Sequence, residues 1–349
     1  QAALGYNRAF IQPVQPQLSF TNPLSSHRRL RIGYVCHFFH NSVSKSLLLP
    51  FIHGHDRKAV EIFCYSDAPP YEVSNDVRSV ADHWHDTSHL SHPEFCALVR
   101  EHQIDVMIEL NGHTQPNRYQ AFAYKPAPVL VSFYNISATS GISTTDYIMV
   151  GDQISLENSK HLYVEEPFYL GGVGGIAQFH HQFPPVSEPP FLKNGFVTFG
   201  SFGSSMKVTK ELVDMWCKIL QAIPGSRLIM KTREFAEKPC QDMFFRHFKS
   251  HGVDQQRLTL EGPSPHYQML EQYADVDIAL DTFPQAAGTT TMEALFQGVP
   301  VISLYGSKYT STHGKSLLTS VGHPELLASN KNEYIEKAVA LAGSPARLT

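Results

Sequence analysis

Asp277-Ile-Ala-Leu-Asp281-Thr-Phe-Pro-Gln-Ala-Ala-Gly288-Thr-Thr-Thr-Met-Glu293-Ala-Leu-Phe-Gln-Gly298-Val-Pro300 is the stretch on which the fold of this chain turns. An apolar run ends at Asp281, a loop closes with Gly288, and a helix begins among the threonines, which is the strand-loop-helix step of a parallel sheet. Backbone N–H groups at a helix start have no partner within the helix and carry the positive end of its dipole. With the hydroxyls of Thr289, Thr290 and Thr291 beside them, they suit a diphosphate. Glu293, one turn further in, suits ribose hydroxyls. The plainer alternative is that the threonines only cap the helix.

Outward from this stretch the same rhythm repeats. Phe196-Val-Thr-Phe199, Arg227-Leu-Ile-Met230, Arg257-Leu-Thr-Leu260 and Val299-Pro-Val-Ile-Ser-Leu304 read as companion strands, and Leu212, Met215, Trp216, Ile219 and Leu220 fall on one face of an intervening helix. An earlier series comprises Leu30–Cys36, Glu61–Tyr65, Ile104–Leu110, Val129–Phe133 and Tyr147–Val150, five strands predicted to form one sheet. The helix before Ile104 is expected to start near His92, because Ser91 and Glu94 make a capping box. Gly171 to Asn194, rich in Gly and Pro, breaks the rhythm. The expected organisation is a tail or linker remnant over 1–27, a Rossmann-like α/β domain over 28–180, a connection over 181–194 and a second Rossmann-like domain over 195–349. Two doubly wound domains facing a central cleft follow from that pattern.

Composition narrows the partners. Across 349 residues the formal charge is -4, with no dense Lys/Arg track, so nucleic acid is not expected. No apolar run reaches membrane-spanning length and no secretory leader is visible, so the expected location is the cytoplasm. The five cysteines lack a paired spacing and read as reduced thiols. The 19 histidines, among them His53, His55, His180 and His181, show no spacing that predicts a metal site. Asn135-Ile-Ser137 fits the glycosylation acceptor pattern, which has no meaning without secretion. His313-Gly-Lys-Ser316 is not a phosphate loop, since Tyr309 stands where that motif needs glycine.

Two further loops follow strands in the second series. Phe199-Gly-Ser-Phe-Gly-Ser204-Ser-Met-Lys207 offers small residues for close backbone approach and a lysine that can reach a phosphate; a solvated lysine is the alternative. In Leu260-Glu-Gly-Pro-Ser264-Pro-His266, the backbone can present polar groups to a base and His266 can touch phosphate.

Taken in order, these segments, with Glu109-Leu-Asn-Gly-His-Thr114, Lys125-Pro-Ala-Pro128, Thr139-Ser-Gly141 and Asp146-Tyr147, resemble the catalytic region of the protein O-GlcNAc transferase and SPINDLY family over about residues 28–345. That resemblance implies the two-domain GT-B fold, with the first domain on the acceptor side and the second holding the donor. It implies inverting transfer of a sugar from a nucleotide sugar, UDP-GlcNAc first, to Ser/Thr of protein acceptors, with no metal or other cofactor. It assigns the departing diphosphate to Lys207, phosphate contacts to Thr289 and Thr290, ribose to Glu293, and the base to the Ser264 backbone with His266 adjoining. Ser204 and Thr291 complete the expected donor set. The family's histidine near the sugar is not where the pattern puts it: Phe38-Phe-His40-Asn-Ser42 leaves asparagine or serine there. His40 or His113 is the candidate to take its place as a catalytic group. Alternatives are a nucleotide-sugar-binding scaffold with weak or no turnover, a GDP-fucose-dependent protein O-fucosyltransferase, and a two-lobed solute-binding protein.

Overall fold

A computed structural model gives the architecture and describes residues 5, 14–25, 27–40, 42–114, 116–133, 138–151, 157–171 and 183–349, with only the backbone at 42–44 and 157–159. Asn135–Ser137, His180, His181 and most of the Gly171–Gly175 run lie outside the described residues. Contacts divide the chain into two units, Gln1–His180 and His181–Thr349.

Among the described residues the first unit contains seven strands: β1 Leu30–Cys36, β2 Val60–Ser66, β3 His83–Asp86, β4 Val106–Glu109, β5 Val129–Ser132, β6 Tyr147–Gly151 and β7 Glu166–Leu170. They form one sheet in the order β3-β2-β1-β4-β5-β6-β7, with every pair parallel. Five of these strands are legible as apolar runs. The other two, β3 and β7, are edge strands: His83-Trp-His-Asp is polar, and Phe168 and Tyr169 of β7 are exposed. An edge strand needs no continuous apolar run, because one side of it meets solvent. Apolar clusters fill both faces of the sheet, one around Phe95, Val99 and Phe122, the other around Phe39, Leu48 and Ile52. The helix His92–Glu101 starts as predicted, with Ser91 and Glu94 forming a reciprocal capping box. Residues 17–22 lie against this unit: the Gln17 N–H donates to the Tyr124 carbonyl and the Asn22 amide to Asp105.

The second unit repeats the plan with β8 Thr198–Ser201, β9 Arg227–Lys231, β10 Leu258–Glu261, β11 Ile278–Leu280, β12 Val301–Leu304 and β13 Leu327–Ala328, in the order β10-β9-β8-β11-β12-β13, again all parallel. All four residues of β8 and of β12 are buried, as in a sheet covered on both faces. The predicted apolar stripe belongs to the helix Lys210–Ala222, whose Trp216 indole donates to the Tyr334 hydroxyl in the core. Residues 183–194 pack on this unit: Phe183 stacks on Phe296, and the Phe191 N–H donates to Asp277. Each unit is a doubly wound α/β layer structure, the class expected. Among the described residues, no helix is long and apolar enough to cross a membrane.

Candidate functional site

In a doubly wound sheet the chain leaves the central strand in opposite directions, and the loops at the strand carboxyl ends part there to leave a crevice. In the second unit that point lies between β8 and β11. A concavity is found there, lined by Gly200 to Gly203 at the end of β8, Leu280 to Thr282 at the end of β11, and Ala287, Thr290 and Thr291 at the next helix. Gly200 is required on its inner side: a Cβ at that position would stand 2.7 Å from the Val276 methyls.

The helix behind the loop, Thr289–Phe296, has Gly288 as its N-cap, and no side chain caps it. The threonines therefore do not serve as a cap, and the helix start presents its dipole toward the concavity. Thr290 and Thr291 line it, although the buried Thr291 hydroxyl donates to the Ala287 carbonyl at 3.1 Å. The Tyr273 hydroxyl donates to the Thr290 carbonyl and fixes the opposite wall.

Lys207 ends a short 3-10 turn, Ser205–Lys207, that Ser204 caps through the Met206 N–H. Its ammonium reaches the Ala286 carbonyl of the threonine loop at 3.4 Å, so two loops 79 residues apart in sequence meet. Burial lowers the Lys207 pKa, and the nearby Asp281 charge opposes that shift. Asp281 is itself buried, and burial pushes its carboxyl up to about 6. Its oxygens accept from the Thr282 and Ala287 N–H groups and the Ser303 hydroxyl, so it shapes the loop. Gly314 lets that cluster close: a Cβ there would sit 2.0 Å from Ser303 Oγ and 2.9 Å from Asp281 Oδ2. His313 is kept toward its neutral form, by burial first and by the Lys207 charge second.

Glu293 is 3% exposed and its carboxylate is asymmetric. Oε1 lies 2.8 Å from His266 Nε2, whereas Oε2 is buried without a hydrogen-bond partner. A buried carboxylate oxygen with no donor is costly, and donors from a ligand remove that cost. Burial raises the Glu293 pKa and the His266 contact lowers it. His266 opens the helix His266–Glu271 directly after the loop that holds Ser264. Three loops, after β8, β10 and β11, thus contribute linked groups.

The first unit has its own reversal point between β1 and β4, and there it places both candidate histidines. His40 closes the turn Phe38–His40 after β1; its Nδ1 lies 3.0 Å from the His37 carbonyl and its Nε2 3.7 Å from Glu72. His113 follows β4, with Nε2 2.8 Å from the Thr139 carbonyl. Because a carbonyl only accepts, His113 carries its proton on Nε2 and keeps the lone pair on Nδ1. Between these loops the His37 N–H donates to Asn111, which donates in turn to the fully buried Glu109. Asn41, one of the two positions where the resemblance puts the sugar-side histidine, lies outside the described residues.

Local sequence gives no sign of Tyr273 or His313 at this concavity, and Asp281 reads there only as a strand end. Strand pairing alone brings them to Lys207 and Thr290, and no spacing rule anticipates it.

The family model of glycosyl transferase family 41 matches residues 2–193 and 191–349. The chain is 33% identical over 359 residues to a protein of Solanum lycopersicum named "Probable UDP-N-acetylglucosamine--peptide N-acetylglucosaminyltransferase SPINDLY", covering all of this chain and 38% of that one. It is 34% identical over 341 residues to the SPINDLY protein of Arabidopsis thaliana, covering 95% of this chain and 37% of that one. The chain therefore spans less than two fifths of the length of these relatives. Among solved structures it is similar to an O-GlcNAc transferase mutant of Thermobaculum terrenum, with a TM-score of 0.88 at 33% identity, covering 99% of this chain and 66% of that one.

Proposed function

The chain belongs to glycosyl transferase family 41, and on that premise we propose that it binds a nucleotide sugar in its second unit and transfers the sugar to Ser/Thr hydroxyls of proteins. UDP-GlcNAc is the proposed donor, because the relatives' names carry it. The single observation that carries the reading is the junction between β8 and β11. It combines an uncapped helix start, a half-buried lysine and a buried carboxylate oxygen without a partner. Those three groups match, in chemistry, a diphosphate beside a ribose.

In the proposed reaction an acceptor oxygen attacks the anomeric carbon from the face opposite the diphosphate. The C–O bond to the diphosphate breaks, and the nucleotide leaves with the electron pair. Charge grows on the leaving oxygens as that bond stretches, so the Lys207 ammonium and the Thr289–Phe296 helix start stabilise the transition state more than the ground state. These groups supply the neutralisation for which other transferases use a cation, so turnover should be unaffected by EDTA. The acceptor proton goes to an imidazole of the first unit. His113 suits this role better than His40, because its Nδ1 carries the lone pair, whereas His40 is engaged by the His37 carbonyl on one side and Glu72 on the other.

That engagement of His40 also favours a second reading, a nucleotide-sugar-binding protein with weak turnover. Calorimetric titration with UDP, UDP-GlcNAc and GDP-fucose tests the pocket and names its donor; if none of the three binds, both readings fall. Mass spectrometry of candidate acceptors incubated with the donor that binds separates them, since the second reading predicts binding without added sugar mass.

A further inference from the structure

Outside the donor concavity, the helices Lys210–Ala222 and Lys238–Ser250 bring three ligating side chains together. Asp214 Oδ1 lies 2.9 Å from His247 Nε2 and 3.1 Å from His251 Nε2, and the three ligating atoms all fall within 4.8 Å of one another. His247 stands in the last turn of its helix and His251 caps it, four residues on, so both imidazoles project from one face.

The tautomer of His251 makes this more than an ion pair. Its Nδ1 lies 3.1 Å from the His247 carbonyl, which only accepts. The nearby Ser250 hydroxyl donates its own proton to that same carbonyl, so toward Nδ1, 3.2 Å away, it too can only accept. Nδ1 therefore carries the proton. In neutral His251 the Nε2 lone pair then points at a carboxylate oxygen that is already approached by His247. Two arrangements relieve that repulsion: a second proton on the ring, or a cation between the three groups. An imidazole whose far nitrogen donates to a backbone carbonyl is also the usual orientation of a metal-bound histidine.

We propose that Asp214, His247 and His251 form a binding site for a divalent transition cation of the zinc type, one that clamps the two helices together. Ligands 2.0–2.2 Å from such an ion stand about 3.3 Å from one another in a tetrahedron, so the observed spacing needs only small side-chain adjustments. Two imidazoles with one carboxylate suit zinc, iron or cobalt better than magnesium or calcium. The negative end of the Lys238–Ser250 helix dipole faces the same point and favours a cation. The site is held before any ion arrives, since the Gln221 amide on the first helix donates to the His251 carbonyl. None of the three ligands lines the concavity between β8 and β11.

The test is titration of the whole chain with Zn2+ and with Co2+, beside His251→Gln and the near-isosteric Asp214→Asn. The side chains at the three positions are partly solvent-exposed, and circular dichroism without metal checks that each variant folds. The expected result is one tight site per chain, a cobalt absorption band of imidazole-carboxylate type, a melting point raised by Zn2+, and affinity lower by at least tenfold in each variant. With 19 histidines in the chain, binding alone does not locate the ion. Equal affinity in the variants overturns the proposal, as does wild-type protein that takes up neither ion at micromolar concentration.

Discussion

Each unit ends a strand beside its reversal point with a buried acid, and the two acids are treated differently. Glu109 closes β4, is fully buried, and has no cation among its hydrogen-bond partners: its oxygens accept from the Asn111 amide and the Gly112 N–H. Burial pushes its carboxyl up to about 8. Asp281 follows β11, accepts from three donors, and has the Lys207 ammonium nearby, so burial pushes it only to about 6. Around Glu109 the polar groups satisfy one another, and a buried Arg118–Asp67 pair closes the cluster with Thr87. Around Asp281 a lysine, a helix start and one oxygen of Glu293 are left to meet something else. The same topology thus yields a buried acid satisfied by its polar neighbours in one unit and, in the other, a buried acid beside a lysine and a helix start with spare hydrogen-bonding capacity.

The largest effect that would sharpen this contrast is structural. Arg118→Ala leaves Asp67 charged and buried, so it should cost about 3–5 kcal/mol of stability, read as an early denaturant transition of the first unit, with nucleotide binding retained. Loss of nucleotide binding in folded protein would break the separation of roles. Next comes Lys207→Ala, expected to lower turnover about 10²- to 10³-fold with little change in melting temperature. Unchanged turnover would remove the lysine from the mechanism. Glu293→Gln should weaken nucleotide affinity about tenfold by calorimetry, since one charged acceptor is lost. The smallest effects are those of pH. Glu109 titrates higher in the folded than in the unfolded chain, so its stabilising contribution is complete below about 4.5 and declines until about 8. Asp281 behaves likewise between about 4 and 6. Thermal melts across pH 4–9 should show Glu109→Gln abolishing the decline between about 6 and 8, where Asp281 no longer titrates, and only reducing the decline below 6.

Much of this is legible in the amino-acid sequence. Central strands are near-continuous apolar runs because both faces are covered, and the Ser91 capping box is a local device that states its own position. The edge strands β3 and β7 are not legible, because half-exposed strands carry no such run. At the junction between β8 and β11, Thr289, Thr290 and Lys207 stand out because each lies where a strand gives way to a helix. Tyr273 and His313 do not, since nothing local marks a residue whose role comes from strands that pair across many residues. The His247 and His251 pair lies at helical spacing, but its third partner sits on another helix, so the sequence alone offered no reason to single it out.

The Lys207 contact with Ala286 is expected to form late in folding. The two residues are separated by 79 positions, so the junction forms only after a long loop has closed and β8 has found β11. Closure of that kind is entropically unfavourable and tends to come late. A ligand that needs both loops therefore recognises only chains that have finished folding this unit. Its stabilisation should show chiefly as slower unfolding, leaving the folding rate nearly unchanged.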